Sequence, residues 1–190
     1  MIPSHAIFYT ILIILLSLAA AILPSPMSDI YSFLQEHGIT YERFDHPAVF
    51  TCEESEKLCP DMPGNPTKNL FLRDKNGGRH FLVSVGHDKS ADLKKLKDLL
   101  GVSKLSFASP ERLKQFLGVE PGSVTLFGLM NDKDHKVEVI IDKNLWDGQL
   151  LQCHPLVNTA TLAIPQAEMK KFLELTRHAF QILEVPGREL

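Results

Sequence analysis

The chain has 190 residues, 44% of them hydrophobic, and a formal charge of −3. That is long enough for one domain with a substantial core. The slight net acidity argues against a generic nucleic-acid coat protein.

No charged side chain precedes Asp29, and residues 6–23 form an almost unbroken apolar run closed by Pro24-Ser25-Pro26. Such a run is just long enough to span a bilayer. It also resembles the apolar stretch of a signal peptide, with Ala19-Ala20-Ala21 as a small-residue site, but the positive flank is missing. A third reading is a misassigned start, because Met27-Ser28-Asp29-Ile30 looks like an ordinary N-terminus entering a helix. The expectation is a hydrophobic segment 1–26 (start artefact, anchor or signal) ahead of a domain at 27–190.

Ser28 is placed to cap a helix carrying Ile30, Phe33 and Leu34, which Gly38 stops. Residues 39–44 are β-prone, and His46-Pro47 breaks the chain. Thr51-Cys52-Glu53-Glu54 reads as a capping box opening a short helix to about residue 58. Three prolines and a glycine at 60–66 make a loop that turns into an apolar run at Leu70. Asp74-Lys75-Asn76-Gly77-Gly78 then signals a hairpin between 70–72 and 80–85. Ser90 is expected to cap a helix that turns Leu93, Leu96, Leu99 and Leu100 inward and its lysines outward. A strand at 104–107 follows, then a helix from Ser109-Pro110 to Gly118. Strands are expected at 124–129, 137–141 and 158–164. A helix begins at Pro165 with Met169, Phe172 and Leu173 on one face, and 181–185 reads as a last strand. The irregular interleaving predicts an α+β (mixed α/β) fold with a single mixed, largely antiparallel sheet packed with helices.

Cys52, Cys59 and Cys153 make an odd set of three, which favours a reducing cytoplasmic setting over a secreted disulfide framework. Their spacing gives no zinc site, so no metal and no cofactor is expected. Cys153-His154 is an adjacent pair that tempts a nucleophile-and-base reading. Neighbours on an extended chain point to opposite faces, which argues against a cysteine hydrolase. Charge is unevenly spread: residues 57–114 hold twelve Lys/Arg against six Asp/Glu. A local basic surface suits a partner with a few phosphates.

Three stretches are each a strand end beside Gly, Pro or Asn, where binding groups collect. They are Gly64-Asn65-Pro66-Thr67-Lys68-Asn69, then Gly122 to Asp132, then His154-Pro155-Leu156-Val157-Asn158-Thr159-Ala160-Thr161. Taken singly, each is as well explained by structure.

Together with Leu105-Ser106-Phe107-Ala108-Ser109-Pro110-Glu111 and Pro121-Gly122-Ser123-Val124-Thr125, these stretches make the chain resemble the YbaK/prolyl-tRNA-synthetase-associated editing domains. The likeness is strongest to free-standing prolyl-tRNA deacylases of the ProXp-ala type, and it runs from about Ile30 to Leu183. The family often has proline where this chain has Leu126. The resemblance implies a trans-editing aminoacyl-tRNA deacylase that hydrolyses mischarged alanyl ester on proline tRNA by substrate-assisted water attack. A deacylase for another small amino acid (Cys, Ser), or a non-catalytic tRNA- or synthetase-binding module, is the alternative. The implied partners are the 3′ end of mischarged proline tRNA and prolyl-tRNA synthetase, with a membrane only if 6–23 is a true anchor. The implied catalytic residues are Lys68, which holds the terminal nucleotide, Gly128 on the loop near the ester carbonyl, and His154 of the amino-acid pocket. Asn69, Gly64, Pro66, Leu129, Met130, Leu156, Asn158 and Thr161 are the implied substrate-binding residues.

Overall fold

The structure is a computed structural model that describes residues 29–49, 54, 57–59 and 61–188. The apolar run at 6–23 and the Ser28 cap lie outside the described residues, as does most of the helix expected at 51–58. Among the described residues no helix is long and apolar enough to cross a membrane.

The elements in chain order are α1 (Ile30–Glu36), β1 (Glu42–Asp45), β2 (Asn65–Asp74), β3 (His80–Gly86), α2 (Leu93–Leu99), β4 (Leu105–Phe107) and α3 (Pro110–Leu117). There follow a 3-10 helix (Leu126–Asn131), β5 (Val137–Asp142), α4 (Lys143–Trp146), β6 (Leu150–Cys153), β7 (Ala160–Pro165), α5 (Gln166–Leu175) and β8 (Phe180–Leu183). One eight-stranded sheet runs β1-β7-β6-β2-β3-β5-β8, with β4 paired to β2. The pairs β1–β7, β6–β7, β2–β3 and β2–β4 are antiparallel. The pairs β2–β6, β3–β5 and β5–β8 are parallel. The mixed, mainly antiparallel sheet packed with helices is the one expected.

Alternation along the strands builds a core on each face. From β3, Leu82 joins a main core with Phe71, Leu162, Ile164, Phe127 and Phe172. Its neighbours Phe81, Val83 and Val85 join a second core beneath Leu96 of α2 and Leu100, the residue that caps its C-terminus. Local chemistry closes the hairpin between β2 and β3: Asp74 Oδ1 accepts from the Gly78 and Arg79 N–H groups at 2.8 and 3.2 Å. The Ser109 hydroxyl caps α3 and Gly118 ends it in the left-handed region.

Several expectations need correction. The α1 cap is Asp29, and the α2 cap is Asp92 rather than Ser90, each carboxylate accepting first-turn N–H groups. Leu99 is not inward but 58% exposed, because α2 is a short helix seated on Leu96 and Leu100. β2 starts at Asn65, not Leu70; Pro66 is tolerated at the second residue, where a strand end needs no ladder donor. The run 124–129 is not a strand. Thr125 caps it and Leu126–Asn131 is a buried 3-10 helix, since an apolar run can be buried as either form. Leu126 is the first helical residue, a position that proline also accepts, which reconciles it with the family's usual proline. α4 and β6 were not expected.

Candidate active site

Strand register brings residues from distant parts of the chain into one row. Phe44 of β1 pairs with Thr161 of β7. Cys153 pairs with Leu162, so the next step sets His154 opposite Thr161. Pro66 pairs in parallel with Gln152, so two residues on Lys68 comes level with His154. Residues opposite one another across a sheet share a face. Lys68, His154, Thr161 and Phe44 therefore cross four neighbouring strands on one face, the face away from the main core.

Each polar member of the row is held. Lys68 is half-buried, and its Nζ donates to the His87 carbonyl at 2.9 Å. His154 Nδ1 donates to the Ala160 carbonyl at 3.1 Å, which leaves the lone pair of the neutral ring on Nε2. Burial pushes the His154 pKa below its usual range, so the neutral form prevails at pH 7. Thr161 contacts a residue not foreseen as functional: His46 Nε2 lies 3.0 Å from its Oγ1. The His46 and His154 rings are 6.1 Å apart between centroids. β1 and β6 both pair antiparallel with β7, so the two His-Pro steps that follow them end at the same edge. That repeated dipeptide was the available signal for His46.

A second unforeseen residue is Gln152, on the same face as the row. Its amide donates to the carbonyls of Met62, Pro63 and Gly64 at 2.9, 3.3 and 3.2 Å. It thereby fixes the loop that leads into Pro66, which is exposed. Gly64 is needed there on two counts: its φ is +93°, and a Cβ would stand 2.8 Å from the Leu150 carbonyl oxygen. Asn158 Nδ2 donates to the Val49 carbonyl at 3.1 Å, tying the β6–β7 loop to the segment after His46.

The other predicted residues are on the main-core side of the sheet. Asn69 accepts from the Ser84 hydroxyl at 2.5 Å and donates to the Val124 carbonyl at 3.1 Å. Gly128, Leu129 and Met130 are buried in the 3-10 helix. The Gly128 N–H donates to the Thr125 carbonyl at 3.1 Å, and a Cβ at Gly128 would stand 3.0 Å from Leu117 Cβ. Leu156 has a φ of 67° and packs against the same core. Cys153 also faces that side, completely buried. Desolvation pushes its thiol up to about 12, against a hydrogen bond with Thr67 that lowers it. Cys153 and His154 thus lie on opposite faces, and the thiol is not available as a nucleophile.

The aminoacyl-tRNA editing domain family model matches residues 46–172. The prolyl-tRNA editing protein ProX of Acetoanaerobium sticklandii is 39% identical over 152 residues, 80% of this chain and 93% of that protein. The prolyl-tRNA synthetase associated domain-containing protein 1 of Danio rerio is 37% identical over 167 residues, 86% of this chain and 90% of that protein. A solved structure described as a candidate trans-editing enzyme for prolyl-tRNA synthetase superposes with a TM-score of 0.62 at 20% identity, covering 87% of this chain and all of that one, and so shares the fold. The matched region carries His46, Lys68, Gln152, His154 and Thr161 together, and the chain belongs to the aminoacyl-tRNA editing domain family.

Proposed function

We infer that this protein is an aminoacyl-tRNA deacylase that acts in trans on mischarged proline tRNA, with the alanyl ester as its substrate. The observation that carries this reading is the row Lys68–His154–Thr161, a cation at one end and hydrogen-bond acceptors at the other. A 3′-terminal aminoacyl nucleotide has matching ends: a phosphate-bearing nucleotide for Lys68 and an amine-bearing amino acid for His154 and Thr161.

An aminoacyl ester is already activated, so water can attack the carbonyl without a protein nucleophile. The ribose hydroxyl beside the ester orients or deprotonates that water, and backbone N–H groups stabilise the developing oxyanion. The protein's share is mainly positioning. Lys68 holds the nucleotide. Gln152 and Gly64 hold the loop beside it, and Pro66 gives that loop its exposed edge. Gly128 lets the 3-10 helix seat on Leu117, with Leu129 and Met130 buried beneath; Asn69 then takes its anchor from Val124 just ahead of that helix. Leu156 and Asn158 shape the loop over the amino-acid end. Proline differs from alanine by its ring, so a pocket fitted to a methyl group rejects it by size. The reading also sets the protein in the cytoplasm, alongside prolyl-tRNA synthetase.

The test is deacylation of alanyl-, cysteinyl-, seryl- and prolyl-tRNA by the purified protein. Alanyl ester should be cleared over prolyl ester by more than about 100-fold. Equal rates on both would end the reading, and faster loss of seryl or cysteinyl ester would move it to another small amino acid.

A further inference from the structure

The hydrogen bonds around Thr161 fix which way its hydroxyl points. His46 Nδ1 is 2.8 Å from the Pro47 carbonyl oxygen, which can only accept, so Nδ1 carries the ring proton. With the ring neutral, Nε2 is an acceptor, and at 3.0 Å it takes the Thr161 hydroxyl hydrogen. The hydrogen of Thr161 is then spent, and Oγ1 offers only lone pairs to anything else. The same logic holds across the row: His154 donates from Nδ1 to Ala160, so its Nε2 also offers a lone pair. His46 and Thr161 are 8% and 6% exposed, so little water competes for these bonds.

We propose that His46 is a positioning residue: through Thr161 it makes this end of the site accept hydrogen bonds only, and so selects an ester with a primary amine. This rests on the deacylase reading above. Two acceptors side by side suit an amino group with N–H bonds to give. In the neutral form, the amine of an alanyl ester has two N–H bonds, one for each acceptor, whereas the ring nitrogen of a prolyl ester has only one. Amine class therefore adds to size in discriminating the two. A hydroxyl free to rotate would lose this, because it could also donate to a carbonyl and hold the ester in the wrong register.

The probe that separates amine class from ring size is N-methylalanyl ester on proline tRNA. It keeps alanine's methyl side chain but has proline's N–H count. Wild-type protein should cleave alanyl ester roughly tenfold faster in kcat/KM than N-methylalanyl ester, the worth of about one hydrogen bond. The ratio should fall towards one in Thr161→Val and in His46→Ala. Thr161→Ser, which keeps the hydroxyl, should restore it. The double variant should have the same ratio as Thr161→Val alone, since His46 acts through the hydroxyl. Thr161→Val is nearly isosteric and stands in if His46→Ala fails to fold. A wild-type ratio near one, or a ratio unmoved by Thr161→Val, overturns the proposal while leaving deacylation intact. No hydrolysis of either ester by wild type overturns the deacylase reading itself, and this proposal with it.

Discussion

Lys68 Nζ donates to the carbonyl oxygen of His87 at 2.9 Å, one residue beyond the end of β3. The bond draws the ammonium group along its own strand pair instead of leaving it on a solvated stem. A lysine held this way has already lost part of its rotamer freedom, which lowers the entropy cost of gripping a phosphate or ribose.

Lys68→Ala should therefore cut kcat/KM for alanyl-tRNA by at least about tenfold, the loss of one charge-assisted contact. Stability should change by no more than about 1 kcal/mol, because the bond lost is half-buried and His87 O can turn to water. Near-normal activity of the variant would remove Lys68 from the site. Thermal denaturation beside the kinetic assay separates the two effects.

A second prediction concerns pH. Burial holds both His154 and His80 below the ordinary 6.5, and the Arg112 guanidinium adds to the effect at His80. As pH falls through 6.5, the unfolded chain takes up protons that the folded chain refuses. Stability from these groups is therefore full above 6.5 and is lost as pH falls from 6.5 through the depressed folded values. Asp74 and Asp92, held down by backbone N–H bonds led by those of Arg79 and Lys95, act in the same direction but only around and below 3.8. Melting temperature should thus begin to drop well before the carboxylates titrate. His80→Phe, which keeps the stack on Phe71 and the tilted ring contact with Phe116, should shallow that slope. A slope identical to wild type would show that His80 does not contribute.

Cys153 provides a third. Its thiol is buried among the main-core side chains and pushed up to about 12 by desolvation. Cys153→Ala should leave deacylation within about twofold and cost on the order of 1 kcal/mol of stability, as for any small buried group. Loss of activity in a variant that melts normally would mean the thiol takes part in the chemistry after all.

How much of this was legible beforehand depended on how local the cause is. The β2–β3 hairpin was readable because Asp74 to Gly78 contains its own turn chemistry. α3 was readable because Ser109, Pro110 and Gly118 mark both ends. Lys68, His154 and Thr161 stood out through their motifs, and register brings those three into one row. His46 and Gln152 did not stand out as site residues. One acts on a partner 115 positions away and the other on carbonyls 88 to 90 positions away. Gln152 has no local signal, and His46 has only the His-Pro step that it shares with His154. The 3-10 helix was misread for another reason: an apolar stretch buried on all sides has no periodicity to betray its form.

The two glycines of the proposed site should respond differently to a single methyl group. At Gly64 the backbone is left-handed and the nearest obstacle is a main-chain oxygen, Leu150 O, at 2.8 Å from the added Cβ. Neither can yield without moving β6. Gly64→Ala should cost about 1–3 kcal/mol for the strained conformation. It should also shift the 62–64 carbonyls from Gln152, so KM for alanyl-tRNA should rise with the loss of stability. At Gly128 the backbone is ordinary, and the nearest obstacle is a side-chain atom, Leu117 Cβ, at 3.0 Å. Gly128→Ala overpacks a buried helix contact, which costs roughly 1–3 kcal/mol when the neighbour cannot shift. Because Gly128 lies on the main-core side, its effect should fall mainly on melting temperature, with KM close to wild type. Measuring both variants for melting temperature and KM decides the matter. If Gly128→Ala is the one that raises KM while melting normally, the 3-10 helix touches the substrate directly and the ester lies on the Asn69 side of the sheet.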